Sequence, residues 1–330
     1  MITTNDGNLG QKPNADAKAV MGRSAQLRLI GGTLVLLLLT TVVSALVGGA
    51  LGTRILHPAN LNPARVEPTQ QMLSRTGTAP EEFDVVGPEG VRLRGWKIRA
   101  RSHDGDWILL FHGVSDNRTG VLGPAELLLR HGYNVVMMDS RAHGESGGDM
   151  VTYGWKERYD TVAITEALYA TENVRHLGAL GVSMGAAIAL QSAAVEPRIE
   201  AVIAEDPFAD LREVSYDYAG LYWSPLLGMT LFRPATIAGL NEMAKEGRFR
   251  PDDVSPEKAV AARSFPVLLI CGTRDRRIPC RHAQRIYEAA RGARELWVVE
   301  GAEHAAALGY APAEYEKRVA GFLTKTLAKP

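Results

Sequence analysis

The chain has 330 residues, enough for one large domain or two small ones, and its charges balance at 37 basic and 37 acidic. Without a basic excess it does not read as a nucleic-acid binder, and with 46% hydrophobic residues it has material for a sizeable core rather than a disordered chain. Its two cysteines, Cys271 and Cys280, exclude a disulfide-rich scaffold, and no C-x-x-C pair or H-E-x-x-H motif points to a metal.

Residues 1–28 are polar and are expected to form a disordered tail. Leu29 to Leu51, "LIGGTLVLLLLTTVVSALVGGAL", holds thirteen Leu, Ile or Val and no charge, a length and composition suited to crossing a bilayer. A cleavable signal peptide has a short basic start and a shorter apolar run, so an uncleaved signal anchor is the expectation, although Val43-x-Ala45 and Gly48-x-Ala50 imitate cleavage sites. Lys12, Lys18, Arg23 and Arg28 precede the span and only Arg54 and Arg65 closely follow it, which favours a cytoplasmic N-terminus and an extracytoplasmic main domain. Residues 52–80, with Pro58, Pro63, Pro68 and Pro80, read as an extended stalk holding a short helix near Thr69–Ser74.

From about residue 81 the pattern changes. "FDVV" and "VRLRGWKIRA" flank the turn signal "GPEG" and read as a hairpin. The runs "WILLFH", "NVVMMD", "LGALGV", "IEAVIAE", "PVLLIC" and "ELWVVE" follow as strands. Helical patterns lie near Pro124–Arg130, Trp155–Tyr169, Met184–Val195, Arg281–Ala290 and Ala313–Leu327. Alternating strands and helices predict an α/β fold over 81–330, with a mostly parallel eight-stranded sheet, helices on both faces and an aromatic-rich helical cap inserted at about 207–265. Ligands bind such sheets at the carboxyl ends of the strands, where His112, Asp139, Ser183, Glu205, Asp206, Asp275 and His304 fall.

Ser183 lies in Gly181-Val182-Ser183-Met184-Gly185, between a predicted strand and a predicted helix, the setting of a nucleophile elbow. A serine hydroxyl needs a base and an orienting acid, delivered in this fold class in the order Ser, Asp or Glu, His. Two histidines follow Ser183. His282 falls inside a predicted helix and reads as a surface residue, which leaves His304, in the loop "GAEH", as the base. Asp275, in "CGTRDRRIP", is the expected acid, with Asp206 as the alternative.

In order and spacing, "LLFHGVSDNR", "GVSMG" and "GTRDRRIP…GAEH" resemble the α/β-hydrolases. "VRLRGWKI", "MDSRAHGESGG" and "TYGWKERYD" narrow the resemblance to bacterial membrane-anchored serine hydrolases of the serine-aminopeptidase-like and BEM46-like branches. The resemblance covers about residues 83–327. It implies an oxyanion hole built from the backbone N–H groups of Val114 and Met184, and loop-supporting roles for His112 and His143. Asn117 and Arg118 would shape the His-Gly turn. The chain departs from the family pattern at Glu303, where glycine is common, and at Cys271. An exported domain would permit a Cys271–Cys280 bridge. The expected function is acyl-ester hydrolysis through an acyl-enzyme, without cofactor or metal and with no nucleic-acid partner. The same triad would serve a peptidase, amidase or thioesterase, and a noncatalytic anchored lipid-binding protein is the reading from another class. Tyr216, Tyr222 and Trp223 of the cap are candidate substrate contacts, and nothing in the sequence sets an oligomeric state.

Overall fold

The computed structural model describes residues 23–58, 64–102 and 105–327. The expected tail lies, up to residue 22, outside the described residues, as do residues 59–63 of the expected stalk. The chain divides into two compact units, 1–43 and 44–330.

The described part of the first unit is the N-terminal portion of helix α1 (Arg23–Leu56). Its leucines and valines stand exposed, and within Gln26–Leu56 an 18-residue window has a mean hydropathy of 2.4, making it the one described helix long and apolar enough to cross a membrane. The hydroxyls of Thr33, Thr40 and Thr41 each donate to the carbonyl four residues earlier, at 2.8 Å, so these polar side chains are satisfied within the helix.

In the second unit eight strands form one sheet: β1 (Pro80–Val86), β2 (Arg92–Ile98), β3 (Asp106–Phe111), β4 (Asn134–Met138), β5 (His176–Val182), β6 (Ile199–Glu205), β7 (Val267–Gly272) and β8 (Arg294–Val299). Their order is β1-β2-β4-β3-β5-β6-β7-β8. Only β2 runs against its neighbours; every pair from β4 to β8 is parallel. The continuous apolar runs have a physical cause. Trp107, Leu109 and Phe111 of β3 enter the core on one face while Ile108 and Leu110 enter the core on the other, so alternation still holds but both faces are buried.

The helices after α1 are α2 (Val66–Thr76), α3 (Leu122–Arg130), α4 (Glu157–Thr171), α5 (Met184–Val195), α6 (Leu211–Gly220), α7 (Pro225–Met229), α8 (Arg233–Gly247), α9 (Pro256–Ala262), α10 (Arg281–Ala289), α11 (Ala307–Tyr310) and α12 (Pro312–Leu327). The first core brings in Ile164 of α4, Ile188 of α5 and Ile286 of α10; the second brings in Leu128 of α3 and Phe322 of α12. Helices α6 to α9 fill the insert between β6 and β7. Helix α4 starts two residues later than the sequence suggests because the Glu157 carboxylate accepts from Thr152 N–H and Gly154 N–H, both at 2.7 Å, closing the turn ahead of it.

The segment read as an extended stalk is different. Helix α1 runs five residues past Leu51, and α2 puts Met72, 1% exposed, into the second core. Arg75 of α2 also pairs with Glu126 of α3 at 2.7 Å. Helix α2 is the short helix expected near Thr69–Ser74, longer at both ends; the continuation of α1 rests on packing against distant residues, which a scan for apolar periodicity within the segment does not detect.

Candidate active site

Ser183 stands at the turn from β5 into α5 with φ 58° and ψ −120°, a backbone conformation that a non-glycine residue adopts only when its surroundings enforce it. Two glycines permit this. A Cβ on Gly181 would lie 2.1 Å from the carbonyl oxygen of Gly185, and one on Gly185 would lie 2.2 Å from that of Phe111. Helix α5 therefore sits directly on the sheet, and Ser183 N–H is held by the carbonyl of Glu205 at 2.8 Å.

His304, in the loop after β8, has Nε2 2.8 Å from Ser183 Oγ and Nδ1 2.6 Å from Asp275 Oδ2. The other carboxylate oxygen of Asp275 accepts from Arg277 N–H at 2.8 Å and Ile278 N–H at 2.9 Å. Asp275 is thus aimed by its own loop, and it aims the imidazole: Nδ1 carries the proton and Nε2 is free to accept one from the serine. Asp206, the alternative acid, is 3.9 Å from His304 Nδ1. Its oxygens accept from Ala305 N–H at 2.7 Å and Gly272 N–H at 3.2 Å, so it ties the backbone beside the base to the end of the strand that leads to the acid. Burial first, then the neighbouring Asp275 and Glu205 carboxylates, push the Asp206 carboxyl up to about 7. Ligand-type atoms of Asp206, Asp275 and His304 lie within 4.8 Å of one another, a spacing a cation would also accept, and all three groups are engaged in the hydrogen bonds just given.

The His-Gly turn lies against the nucleophile: a Cβ on Gly113 would come 3.6 Å from Ser183 Cβ. Val114 and Met184 border the same cavity as Ser183. The turn is cross-braced to the loop after β4. His112 Nε2 accepts from Ser140 N–H at 3.0 Å, and His143 Nε2 accepts from Ser115 N–H at 3.1 Å. Because a backbone N–H only donates, both rings are neutral with the proton on Nδ1, where each donates to a carbonyl, Gly113 O and Arg141 O. Burial drives His112 down to about 4 and His143 below its ordinary value. Asn117 caps the next turn by accepting from Thr119 N–H at 3.0 Å, and Arg118 N–H donates to Asp139 Oδ1 at 2.6 Å.

A cavity of about 640 Å³ opens from Ser183 beneath the cap. Of the three aromatic candidates, only Trp223 borders it. Tyr216 lines a separate hollow with Arg233, and Tyr222 is 88% exposed; neither borders the cavity of Ser183. Tyr218, two residues past Tyr216 on α6 and so on the other side of the helix, borders the cavity instead. Neighbouring aromatic residues on a short helix point in different directions, and composition alone does not give their phase. His282 is also placed differently from the surface position expected: it is fully buried, accepting from Ala209 N–H at 3.2 Å and donating to Asp217 at 2.8 Å, and so fastens α10 to the cap. Glu303 is exposed. Cys271 and Cys280 are joined by a disulfide across the acid loop.

Residues 57–236, more than half of the chain, match the family model described as X-Pro dipeptidyl-peptidase (S15 family). The chain belongs to this family of α/β-hydrolases. Its fold and its Ser183–His304–Asp275 relay make it a serine hydrolase. Among relatives of this hydrolase, the uncharacterized protein YqkD of Bacillus subtilis is 32% identical over 250 residues, covering 73% of this chain and 78% of its own. An esterase of Pyrococcus furiosus superimposes with a TM-score of 0.64 at 26% identity, over 78% of this chain and 94% of the esterase. An acylaminoacyl peptidase of Pyrococcus horikoshii, at 18% identity and a TM-score of 0.58 over 76% of this chain and 42% of its own, shares the fold.

Proposed function

We propose that this hydrolase cleaves carboxylic esters with apolar acyl groups, at a membrane surface. Ser183 Oγ attacks the ester carbonyl as His304 Nε2 takes its proton. The N–H groups of Val114 and Met184 hold the oxyanion, the alcohol leaves with the proton from His304, and water then frees the acid by the same steps. The observation that carries this reading is the wall of the cavity. No Asp or Glu is among the described residues that border it. A peptidase that removes N-terminal residues must bind an ammonium group, and burying that cation without a carboxylate partner costs several kcal/mol, on the order of the whole gain from binding. The likeness to the Pyrococcus esterase supports the same conclusion.

The peptidase reading keeps one observation in its favour, the family model's own description. Thioester cleavage would use the same relay, and a lipid carrier without catalysis would have no use for a nucleophile already bonded to its base. Within the resemblance noted above, the serine-aminopeptidase-like and BEM46-like branches remain the finer assignment. We place α1 as an uncleaved anchor with the N-terminus cytoplasmic and the hydrolase outside. The Cys271–Cys280 bridge supports that side, since disulfides persist in oxidising compartments.

The test is activity-based labelling with a fluorophosphonate, followed by panels of esters, thioesters and Xaa-Pro amides. The expected result is stoichiometric label on Ser183, ester turnover, and little or no amide turnover. Xaa-Pro amides turned over faster than any ester would reverse the assignment.

A further inference from the structure

The last turns of α1 are built into the hydrolase unit. Gly48 and Gly52, one turn apart, meet Ala235 and Gly239 of α8. A Cβ on Gly48 would stand 2.0 Å from Ala235 O, and one on Gly52 would stand 2.2 Å from Gly239 O. Small residues spaced four apart on both helices let the backbones touch, the packing used between helices in membranes. Below this seam Leu56 is fully buried with Phe208, Leu240 and Met243. Its carbonyl accepts from Val151 N–H at 2.8 Å, and the carbonyl of Ile55 accepts from the Tyr153 hydroxyl at 3.0 Å. His57 then meets Glu246 of α8 at 2.7 Å. With that seam fixed, Val47, Leu51 and Ile55, which share one stripe of the helix, border the cavity that holds Ser183.

We infer that α1 supplies one wall of the acyl pocket and that Leu51 sets the length of aliphatic chain presented to Ser183. This rests on the ester-hydrolase reading for the nature of the leaving group, but not for the shape of the pocket. The substrate class is an ester of a lipid-like acid, because Val47, Leu51 and Ile55 present only aliphatic side chains along that stripe, while the polar groups of the lining, Arg54, Ser115, Ser215 and Thr236 among them, lie off it. The same packing argues that α1 is retained: cleavage after Ala50 would remove Val47 and Gly48, which border the cavity, and cleavage after Ala45 would leave the seam at a free chain end.

Labelling rates of Ser183 by alkyl fluorophosphonates test the wall without requiring ester turnover. Full-length protein in lipid nanodiscs is compared using an ethyl and a dodecyl probe. Leu51→Trp is expected to lower the dodecyl-to-ethyl rate ratio about tenfold, the scale on which apolar pockets discriminate chain length. Leu51→Ala, which removes atoms and cannot crowd the seam, moves the ratio the other way. Leu46→Trp, at a position 69% exposed and outside the cavity, keeps the wild-type ratio. Both Leu51 variants retaining the wild-type ratio, or Leu46→Trp shifting it as far as Leu51→Trp does, would overturn the inference. If Ser183 labels but no ester is turned over, the ester reading fails and the rate ratios still decide the wall.

Discussion

At the scale of single residues the site is governed by which atoms accept and which donate. Asp275 uses one oxygen for two loop N–H groups and the other for His304. In Asp275→Asn the amide oxygen stays with the loop, so the NH2 group faces Nδ1 and the imidazole must move its proton to Nε2. A base protonated toward the nucleophile is no base, and kcat is expected to fall by about 10⁴ with the fold intact. Ester turnover and the circular dichroism spectrum of the variant check this, and a loss under tenfold would contradict it. His112 has the opposite task, to remain uncharged. Its folded pKa of about 4 lies below the unfolded value near 6.5, so the unfolded chain binds the proton first. Its contribution to stability is therefore complete above pH 6.5 and is lost as the pH falls from 6.5 toward 4, by about 1 kcal/mol at pH 5.5. Asp206 and Asp160, both raised by burial, titrate with the opposite sign over much of the same range. The measurable quantity is thus the difference between proteins: Tm between pH 7.5 and 5.5 is expected to drop more in the wild type than in His112→Gln, which keeps an acceptor for Ser140 N–H but carries no titrating proton. Parallel curves would count against it.

At the scale of elements, the acid loop between β7 and α10 hangs from both ends. The disulfide joins Cys271, buried in β7, to Cys280 at the start of α10, and Asp275 lies within the ring it closes. Closing so short a ring removes freedom from the unfolded chain, a contribution of about 2–3 kcal/mol in the chain-entropy account. Reduction is expected to lower Tm by roughly 5–10 °C, read by scanning fluorimetry with and without reductant. Thiol counting by mass spectrometry verifies that the bond opened, and an unchanged Tm in protein shown to be reduced would refute the estimate. The sequence suggested this bond only as an option, because two cysteines nine residues apart do not reveal whether their side chains converge. It was equally silent on His282, whose partner Asp217 lies 65 residues earlier on a different helix. The β-strands were legible for the opposite reason. Each is a self-contained apolar run, buried on both faces, and needs no knowledge of its neighbours to be recognised.

Across the whole molecule, the nucleophile, base and acid could be read because each follows a strand end in a fixed order. The substrate wall could not. Gly48 sits in a run that reads as lipid-facing and Gly52 just past its end, and only the matching small residues of α8, nearly two hundred positions later, show that this part of the helix faces protein. The sheet order has one more consequence, which concerns when the enzyme becomes active during synthesis. Ser183 follows a central strand, whereas Asp275 follows β7 and His304 follows β8, at the far edge. The serine is synthesised well before either partner, so a chain truncated ahead of β8 carries the nucleophile with no base to activate it. Hydrolytic power arrives only when the last strand docks, and completion of the sheet and onset of chemistry become a single event.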